Sequence, residues 1–333
     1  MAPTIQSLEP EIISPDKSYH EVLAQDVMAG LSASQKYIPA KYHYDAEGSR
    51  LFNRITELPE YYLTSCEMDA LHRNRGRIAA FLKDGPVNLI EFGPGDGSKT
   101  MPLIGYLLGQ GLDIRYVGVD ISRDALRQLA SDFQTRLPDC PIDCLAADYL
   151  TGLKWLNKRP RQRNLVLFLG SSVGNFSPAQ ARSFLRNLHD SLNDGDLLIT
   201  GFDRVKEREL IHRAYNDSEN VTAAFNLNVL SHINRGLNGE FDISRFTFEG
   251  RYDADAQVVR SYLRSSEHQD VRIGDLDRSF RFDRGESIHT EDSHKYHESD
   301  IEALAIQTGF RVESHLYDTR RYFIDSVWEV VRD

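Results

Sequence analysis

The spacing of apolar and polar positions changes in a regular way between residues 86 and 201. Short apolar or β-branched runs predict strands at 87–92, 114–119, 142–146, 165–169 and 197–200, and longer amphipathic stretches separate them. The run LVLFL at 165–169 is continuously apolar, which is typical of a parallel strand covered by helices on both faces. This order of elements predicts successive βαβ units.

The same patterns predict how two further parts of the chain join this sheet. A helix is expected to start at Pro178, because Ser177 can cap it and because Leu185 and Leu188 recur at core spacing. Near the C-terminus a helix is expected at 300–308. Strands at 311–317 and 322–331 follow it, on either side of an Asp-Thr-Arg turn, and would complete the sheet.

The intervening stretch, residues 205–297, has a different character. It contains two helical segments and then alternating patterns such as 258–263 and 271–282. We therefore expect an α/β fold with a second, inserted α+β lobe that the N-terminal region joins. The predicted boundaries are 65–204 and 298–333 for the core, and 1–64 and 205–297 for the lobe.

Composition limits the class of protein and the kind of partner. With 41% hydrophobic and 10% aromatic residues, the 333-residue chain can bury a full core. Its formal net charge of −11 argues against a broad phosphate-binding face, so we expect a small-molecule substrate and no nucleic-acid partner. No apolar run is long enough to cross a bilayer, and the acidic N-terminal stretch lacks a secretory-signal pattern. We expect a cytoplasmic monomer without membrane attachment.

Metal-ligating side chains show no recognisable spacing. The cysteines, Cys66, Cys140 and Cys144, lack the paired spacing of a structural zinc site and are expected to be reduced thiols. Histidines and glutamates do gather in one polar stretch, at His289, Glu291, His294, His297 and Glu298. Because that stretch has no helical histidine pair around a glutamate, we expect no metal.

A glycine-rich turn directly after the first predicted strand is the strongest local signal. The segment EFGPGDG at 91–97 contains Gly93, Gly95 and Gly97. Such a turn lets the backbone approach a nucleotide closely, and the following helix offers unpaired amides. Asp120 ends the second predicted strand, where its carboxylate could accept both hydroxyls of a ribose. These features predict a nucleoside site, the alternative being a turn that serves only tight packing.

The glycine spacing also distinguishes between cofactors. A nicotinamide fingerprint reads GxGxxG, whereas this loop reads GxGxG, and the phosphate-loop pattern is absent. Glu91 and Asp96 would suit the cationic sulfonium and ammonium groups of S-adenosylmethionine better than a pyrophosphate. After the third predicted strand, Asp148 could read an adenine amino group while Tyr149 packs on the ring. The loop therefore predicts S-adenosylmethionine as a methyl donor.

Five further segments carry a resemblance to a known family. They are YDAEGSRLF at 44–52, LPEYYLT at 58–64, FLGSSVGNF at 168–176, VTAAFN at 221–226 and HTEDS at 289–293. Together they resemble the histidine-specific Nα-methyltransferases of ergothioneine biosynthesis, over nearly the whole chain and in the same order. The resemblance implies trimethylation of L-histidine to hercynine. It also implies a Rossmann-like class I methyltransferase core with a substrate-binding lobe.

The resemblance also implies roles for individual residues. Cofactor-binding positions are Gly93, Lys99, Asp120, Asp148 and Tyr149. Histidine-binding positions are Tyr61, Asn175, Tyr215, Glu291 and Ser293. Relatives of this family act on tryptophan-type substrates, so the side-chain pocket decides the substrate.

The spacing of Glu291 and Ser293 suits an imidazole. In an extended segment alternate residues share a face, so the carboxylate and the hydroxyl would point the same way. One would accept a proton from an imidazole nitrogen while the other meets the second nitrogen, and an indole could satisfy this pair only in part. The alternative is a solvated acidic loop.

Methyl transfer to an amine needs orientation and exclusion of water rather than a nucleophilic side chain. Asn175 is expected to hold the carboxylate and amine of the substrate, and Tyr215 to donate a further hydrogen bond. Tyr44, with Phe52, is expected to stabilise a methylated ammonium by cation–π contact, although core packing alone would also explain Phe52. Two alternatives stay open: an Nα-methyltransferase for another amino acid, and a catalytically silent protein that binds S-adenosylmethionine.

Overall fold

The computed structural model describes residues 11–12, 19–83, 85–156 and 162–332. Residues 1–10, which cover most of the acidic N-terminal stretch, lie outside the described residues. The strands are β1 (Glu11–Ile12), β2 (Val87–Phe92), β3 (Ile114–Asp120), β4 (Ile142–Ala146), β5 (Arg163–Phe168), β6 (Leu197–Asp203), β7 (Phe246–Asp253), β8 (Val258–Ser265), β9 (Gln269–Ile273), β10 (Arg278–Phe282), β11 (Ser287–His294), β12 (Phe310–Tyr317) and β13 (Phe323–Val330). The helices are α1 (Tyr19–Ser32), α2 (Ala46–Glu57), α3 (Tyr62–Phe81), α4 (Thr100–Gly109), α5 (Arg123–Arg136), α6 (Tyr149–Leu156), α7 (Pro178–Ser191), α8 (Arg208–Tyr215), α9 (Val221–Leu237) and α10 (Glu298–Gln307). Among these helices none has the length and apolar character that a bilayer span requires.

The chain divides into two compact units. The first contains Leu63–Val205, Lys295–Asp333 and the N-terminal strand β1. The second contains Ser14–Tyr62 and Lys206–His294. Each unit has its own sheet and its own apolar core.

The first unit is built on an eight-stranded sheet with the order β1-β4-β3-β2-β5-β6-β13-β12. Strands β1 to β6 pair in parallel, whereas β13 runs antiparallel to β6 and to β12. From β2 the chain proceeds along the sheet through β3 to β4. It then returns to the other side of β2, where β5 and β6 lie. The predicted α/β class and the predicted strands of the βαβ region are confirmed.

Both faces of this sheet are covered, as the continuous apolar runs predicted. Leu89 and Leu165 belong to an apolar cluster that side chains of α3, α4 and α5 complete. Their strand neighbours, Ile90 and Val166, belong to a second cluster with side chains of α7 and α10. Because successive side chains of a strand point to opposite faces, an all-apolar strand must be buried on both sides.

The residues at the start of α7 form the predicted helix cap. The Ser177 hydroxyl accepts the Gln180 amide, the Gln180 side chain accepts the Ser177 amide, and Pro178 begins the helix. Leu185 and Leu188 are fully buried. The helix therefore packs its apolar stripe on the sheet.

Strand β1 differs from the prediction that residues 1–64 join the inserted lobe, whereas Ser14–Tyr62 do group with Lys206–His294. Strand β1 pairs in parallel with β4, through Glu11 opposite Leu145 and Ile12 opposite Ala146. It therefore extends the edge of the sheet in the first unit. A two-residue strand is too short for apolar alternation to reveal.

The second unit combines helices α1, α2, α8 and α9 with an antiparallel sheet of order β11-β8-β7 and a β9–β10 hairpin. The two helical segments predicted after residue 205 are confirmed as α8 and α9. Its core includes Leu23, Val229 and Leu263. The alternating stretch 271–282 reverses direction at Asp277, whose φ of 44° lies in the left-handed region.

Candidate functional site

The glycine turn after β2 depends on backbone conformations that other residues rarely adopt. Gly93, Gly95 and Gly97 have φ values of 71°, 56° and 69°. At Gly97 space is also limiting, because a Cβ atom there would lie 2.4 Å from Leu129 Cδ1. At Gly93 a Cβ atom would lie 3.2 Å from the Tyr149 hydroxyl. The turn therefore brings exposed backbone to the carboxyl end of β2.

Glu91 does not serve the purpose that the sequence suggested. Its carboxylate is buried, and it accepts hydrogen bonds of 2.7 Å from the hydroxyls of Thr100 and Tyr116. Burial raises the pKa of Glu91 above its usual value. Glu91 therefore fixes the first residue of α4 to the neighbouring strand, and the expectation that it faces a cationic ligand is wrong. Asp96 is exposed and accepts the amide of Ser98 at 2.9 Å.

Asp120 lies at the carboxyl end of β3, beside the glycine turn. Its Oδ1 atom accepts the Ser122 amide at 2.9 Å. Burial raises the pKa of its carboxyl group, and hydrogen bonds from the amides of Ser122 and Gly95 oppose that shift. Its residue surface is still partly exposed. The predicted pairing of the glycine turn with a strand-end carboxylate is therefore present in the first unit.

Asp148 and Tyr149 follow β4 at the same edge of the sheet. Asp148 is exposed and accepts the Thr151 amide at 2.7 Å, which caps the start of α6. The Tyr149 ring packs edge-to-face on Phe92 and Phe168, at centroid distances of 5.5 and 5.3 Å. Burial raises the pKa of Tyr149. The Tyr149 hydroxyl lies near the glycine turn, 3.2 Å from the position that a Cβ atom at Gly93 would take.

Asn175 is held by a turn that follows β5. The turn Ser172–Asn175 is a single 3-10 turn, and Ser171 before it has a φ of 56°. Such a conformation is strained for a residue with a Cβ atom, and its neighbours must hold it in place. The Ser171 hydroxyl accepts the Asp203 amide at 3.2 Å, which ties the turn to β6. Asn175 is thereby fixed at the carboxyl edge of the sheet, where ligands of open α/β sheets bind.

The remaining cofactor candidate, Lys99, lies immediately before α4. Its ammonium donates to the Glu67 carboxylate on α3, at 2.7 Å. Sequence reasoning did not identify Glu67, because an acidic residue in an amphipathic helix is usually solvated. The five predicted cofactor-binding positions thus all lie at or beside the carboxyl ends of β2, β3 and β4.

Four of the five predicted histidine-binding residues, Tyr61, Tyr215, Glu291 and Ser293, belong to the second unit, whereas Asn175 belongs to the first. The hydroxyls of Tyr215, at the end of α8, and Ser293, on β11, are 2.7 Å apart and buried. The ring of Tyr61 contacts that of Tyr215 edge-to-face, with centroids 6.3 Å apart. These residues are distant in sequence, so their contact is a result of the fold.

Strand β11 presents Glu291 and Ser293 on one face. The pairing with β8 is irregular between His289 and Glu291, and it is regular from Glu291 to His294. In that regular part alternate residues share a face, as predicted from the extended pattern. Ser293 is buried, and Glu291 is half-buried.

The irregular position in β11 is fixed by residues that sequence reasoning missed. Thr290 is buried, and its hydroxyl donates to Asn226 Oδ1 at 2.8 Å. Asn226, on α9, is also buried and lies 3.3 Å from His43 Nε2. A buried asparagine among apolar positions of a helix was the available signal, since such a side chain needs partners.

Further aromatic rings of the second unit lie next to Tyr61. Tyr44 contacts Phe52 and Phe225 edge-to-face, with centroids 5.6 Å apart in both pairs. Phe52 also contacts Tyr61, at 6.3 Å. Tyr44, Phe52 and Tyr61 are only half-buried, while Phe225 is part of the core. Phe52 therefore packs on the core, while its residue surface stays partly exposed.

In the polar stretch around His289, one residue, Glu298, lies with Glu302 and His315 in a group whose possible metal-ligating atoms are all within 4.8 Å of one another. His289 Nε2 lies 2.9 Å from Asp292 Oδ1. Among the described residues, His294 and His297 do not join His289 in a group of metal-ligating atoms.

Comparisons with known proteins identify the family of this chain. A family model described as histidine-specific methyltransferase, SAM-dependent, matches residues 23–330. Histidine N-alpha-methyltransferase of Mycolicibacterium smegmatis is 38% identical to this chain, over 87% of it and 89% of that protein. The protein of the same name from Mycobacterium tuberculosis is 36% identical, over 83% of this chain and 85% of that protein. Ergothioneine biosynthesis protein 1 of Schizosaccharomyces pombe is 30% identical, over 91% of this chain and 41% of that protein. This chain therefore belongs to the family of histidine-specific, S-adenosylmethionine-dependent methyltransferases.

Proposed function

We propose that the protein methylates the α-amine of L-histidine three times, with S-adenosylmethionine as donor, and so forms hercynine for ergothioneine biosynthesis. The observation that carries the substrate assignment is the buried Tyr215–Ser293 hydroxyl pair, 2.7 Å apart, on the strand that also bears Glu291. A hydroxyl and a carboxylate on one strand face offer partners to both nitrogens of an imidazole. The names of the related proteins support the same substrate and pathway.

The residues of the first unit suit the donor. The exposed backbone at Gly93 and Gly95 lets an adenosyl group approach closely, and the Asp120 carboxylate can accept two ribose hydroxyls. The donor supplies an electrophilic methyl group on a sulfonium. Asp148 is the exposed carboxylate that would accept an adenine amino group.

In this proposal the protein catalyses by orientation. The Asn175 amide has both a donor and an acceptor, so it can bind the carboxylate and the amine of the substrate together. Tyr215 donates to the substrate carboxylate or keeps Ser293 oriented, since the two hydroxyls share one hydrogen bond. Holding an amine in a near-attack position can supply several kcal/mol of the barrier, about 7–11 kcal/mol in the most favourable cases.

Repeated methylation changes what the protein must bind. Each transfer removes an N–H donor, and the last product is a permanent cation. The accessible faces of Tyr44 and Phe52 tolerate this change, because cation–π attraction does not depend on N–H groups. Such a contact is worth about 0.5–2 kcal/mol.

The activity is tested by incubating the protein with labelled S-adenosylmethionine and a panel of amino acids that includes L-histidine and L-tryptophan. We expect label in a trimethylated histidine product, identified by mass. Trimethylation of another amino acid without methylation of histidine would overturn the substrate assignment. Binding of S-adenosylmethionine without any turnover would favour the silent binding protein.

Two variants test the proposed histidine-binding residues and the proposed cofactor-binding residues separately. Glu291→Ala should weaken histidine binding at least tenfold and leave S-adenosylhomocysteine binding unchanged, because the imidazole loses a hydrogen-bond partner. Asp120→Ala should do the reverse. Asp292→Ala is the matched control, since it removes a carboxylate from the opposite face of the same strand, where it bonds to His289. An unchanged histidine affinity in Glu291→Ala would refute the pocket.

A further inference from the structure

A buried charged cluster in the first unit joins two loops at the carboxyl edge of the sheet. Glu67, on α3, is 1% exposed. One of its carboxylate oxygens accepts the Lys99 ammonium at 2.7 Å, and the other accepts the Gly170 amide at 2.6 Å. Lys99 follows the glycine turn of β2, and Gly170 follows β5, the strand that pairs with β2. A single carboxylate therefore connects the ends of two neighbouring strands.

The fold makes room for this carboxylate. A Cβ atom at Gly201, on β6, would lie 2.3 Å from Glu67 Oε1, so a side chain at that position would displace Glu67. Asp325 lies opposite Gly201 on β13 and is fully buried. Neither of its carboxylate oxygens has a hydrogen-bond partner among the described residues. Burial, together with the charge of Glu67, raises the pKa of Asp325 well above its usual range.

Glu67 is the counter-ion of Lys99, because its carboxylate lies 2.7 Å from the ammonium, whereas the Asp325 carboxyl group bonds to no described residue. Burial by itself would lower the pKa of Lys99, but the charge of Glu67 raises it above the usual value. The ammonium has three donors, of which Glu67 accepts one. The Lys99 side chain is 21% exposed, compared with 1% for Glu67, so ligands can reach the lysine and not the glutamate.

A purely structural role explains this arrangement poorly. Taking two charges out of water is expensive, and a buried ion pair is often no more stabilising than an apolar pair of the same size. Here the pair also uses a glycine at 201 and leaves a carboxyl group at 325 without a partner. The arrangement does, however, present a fixed cation beside the glycine turn.

We propose that Glu67 is a positioning residue for the methyl donor: it fixes the Lys99 ammonium and the Gly170 loop so that Lys99 binds the carboxylate of the donor's amino-acid end. The inference rests on the proposed function, because it assigns the donor to this edge of the sheet. The nucleoside end of the donor would then depend on Asp120 and the glycine turn. The amino-acid end would depend on Glu67 and Lys99.

Two ligands allow the contributions of the two ends of the donor to binding affinity to be measured separately. S-adenosylhomocysteine has the adenosine and the amino-acid end, whereas methylthioadenosine has the adenosine and lacks the amino-acid end. Glu67→Gln keeps the size and an acceptor for the Gly170 amide, but it removes the charge that holds Lys99. We expect its affinity for S-adenosylhomocysteine to fall at least tenfold, with the affinity for methylthioadenosine changed less than twofold. Lys99→Met should give the same pattern.

Asp143→Asn is the matched control. It breaks another carboxylate–cation pair of the same unit, the bidentate contact between Asp143 on β4 and Arg115 on β3, at 2.9 and 3.0 Å, which lies away from these loops. We expect both affinities to be unchanged in this variant. If Glu67→Gln weakens both ligands equally, or neither, the positioning role is wrong. If the unmodified protein binds neither ligand, the proposed function itself fails.

Discussion

Replacing Gly97 tests how the glycine turn is built, because two separate costs act there. Its φ of 69° is unfavourable for any residue with a Cβ atom, by about 1–2 kcal/mol. An alanine Cβ would also lie 2.4 Å from Leu129 Cδ1 and 2.8 Å from Met101 Cε. Both side chains are buried, so the core must shift, at about 1–3 kcal/mol for overpacking. We expect Gly97→Ala to lower the free energy of unfolding by about 2–5 kcal/mol.

Gly95→Ala is the control for this prediction. Its φ of 56° carries the same backbone penalty, but apart from its chain neighbours no described residue has an atom within 4 Å of the added Cβ. We expect a loss of about 1–2 kcal/mol for this variant. The difference between the two variants therefore measures the packing cost at Gly97 alone.

The assay is urea unfolding followed by tryptophan fluorescence. The two tryptophans, Trp155 and Trp328, both lie in the first unit, so their signal reports the unit that contains the turn. Equal losses in Gly97→Ala and Gly95→Ala would show that Leu129 and Met101 move aside without cost. The steric part of the reasoning would then be wrong.

Three further predictions concern the second unit. Asp217→Ala should cost about 1–2 kcal/mol in urea unfolding, because the Asp217 carboxylate accepts the amide of Thr222 at 2.8 Å at the start of α9. Burial lowers the pKa of His43 below 6.5, so the stability it contributes should be present above pH 6.5 and lost as the pH falls; unfolding curves of His43→Gln should lack that loss. Tyr215→Phe should weaken histidine binding by about tenfold in calorimetry, since Ser293 loses its hydroxyl partner, with S-adenosylhomocysteine binding unchanged.

Apolar periodicity predicted the elements of the first unit well. The strands of a doubly wound sheet are buried on both faces, so their sequences are distinctive over a few residues, as in β2 and β5. The position of Asp120 at the end of β3 also follows from the chain alone, because it requires only a strand and its last residue. The edge strand β1 was not predictable, since two residues have no period.

Contacts between distant residues account for what sequence reasoning missed. Two acidic residues near the turn, Glu91 and Asp96, look equivalent in the sequence, but the hydroxyls of Thr100 and Tyr116 both reach Glu91 and bury it. The pair of Tyr215 and Ser293 spans 78 residues. The sequence pattern alone cannot show which of these side chains is buried and which is accessible, because elements that are not adjacent in the chain determine their environment.

The carboxylates at the carboxyl edge of the first unit's sheet differ in burial, and this difference distinguishes their roles. Glu91 and Glu67 are each 1% exposed and bond to groups of the protein, Glu91 to the Thr100 hydroxyl and Glu67 to the Lys99 ammonium. Asp120 and Asp148 keep accessible surface, and the hydrogen bonds that they accept from amides leave other lone pairs of each carboxylate available to a ligand. A carboxylate that contacts a cosubstrate must be reachable, whereas one that fixes a loop must be desolvated and satisfied. The two buried carboxylates therefore belong to the framework of the first unit, and we propose that Asp120 and Asp148, which follow the bodies of β3 and β4, contact the cosubstrate.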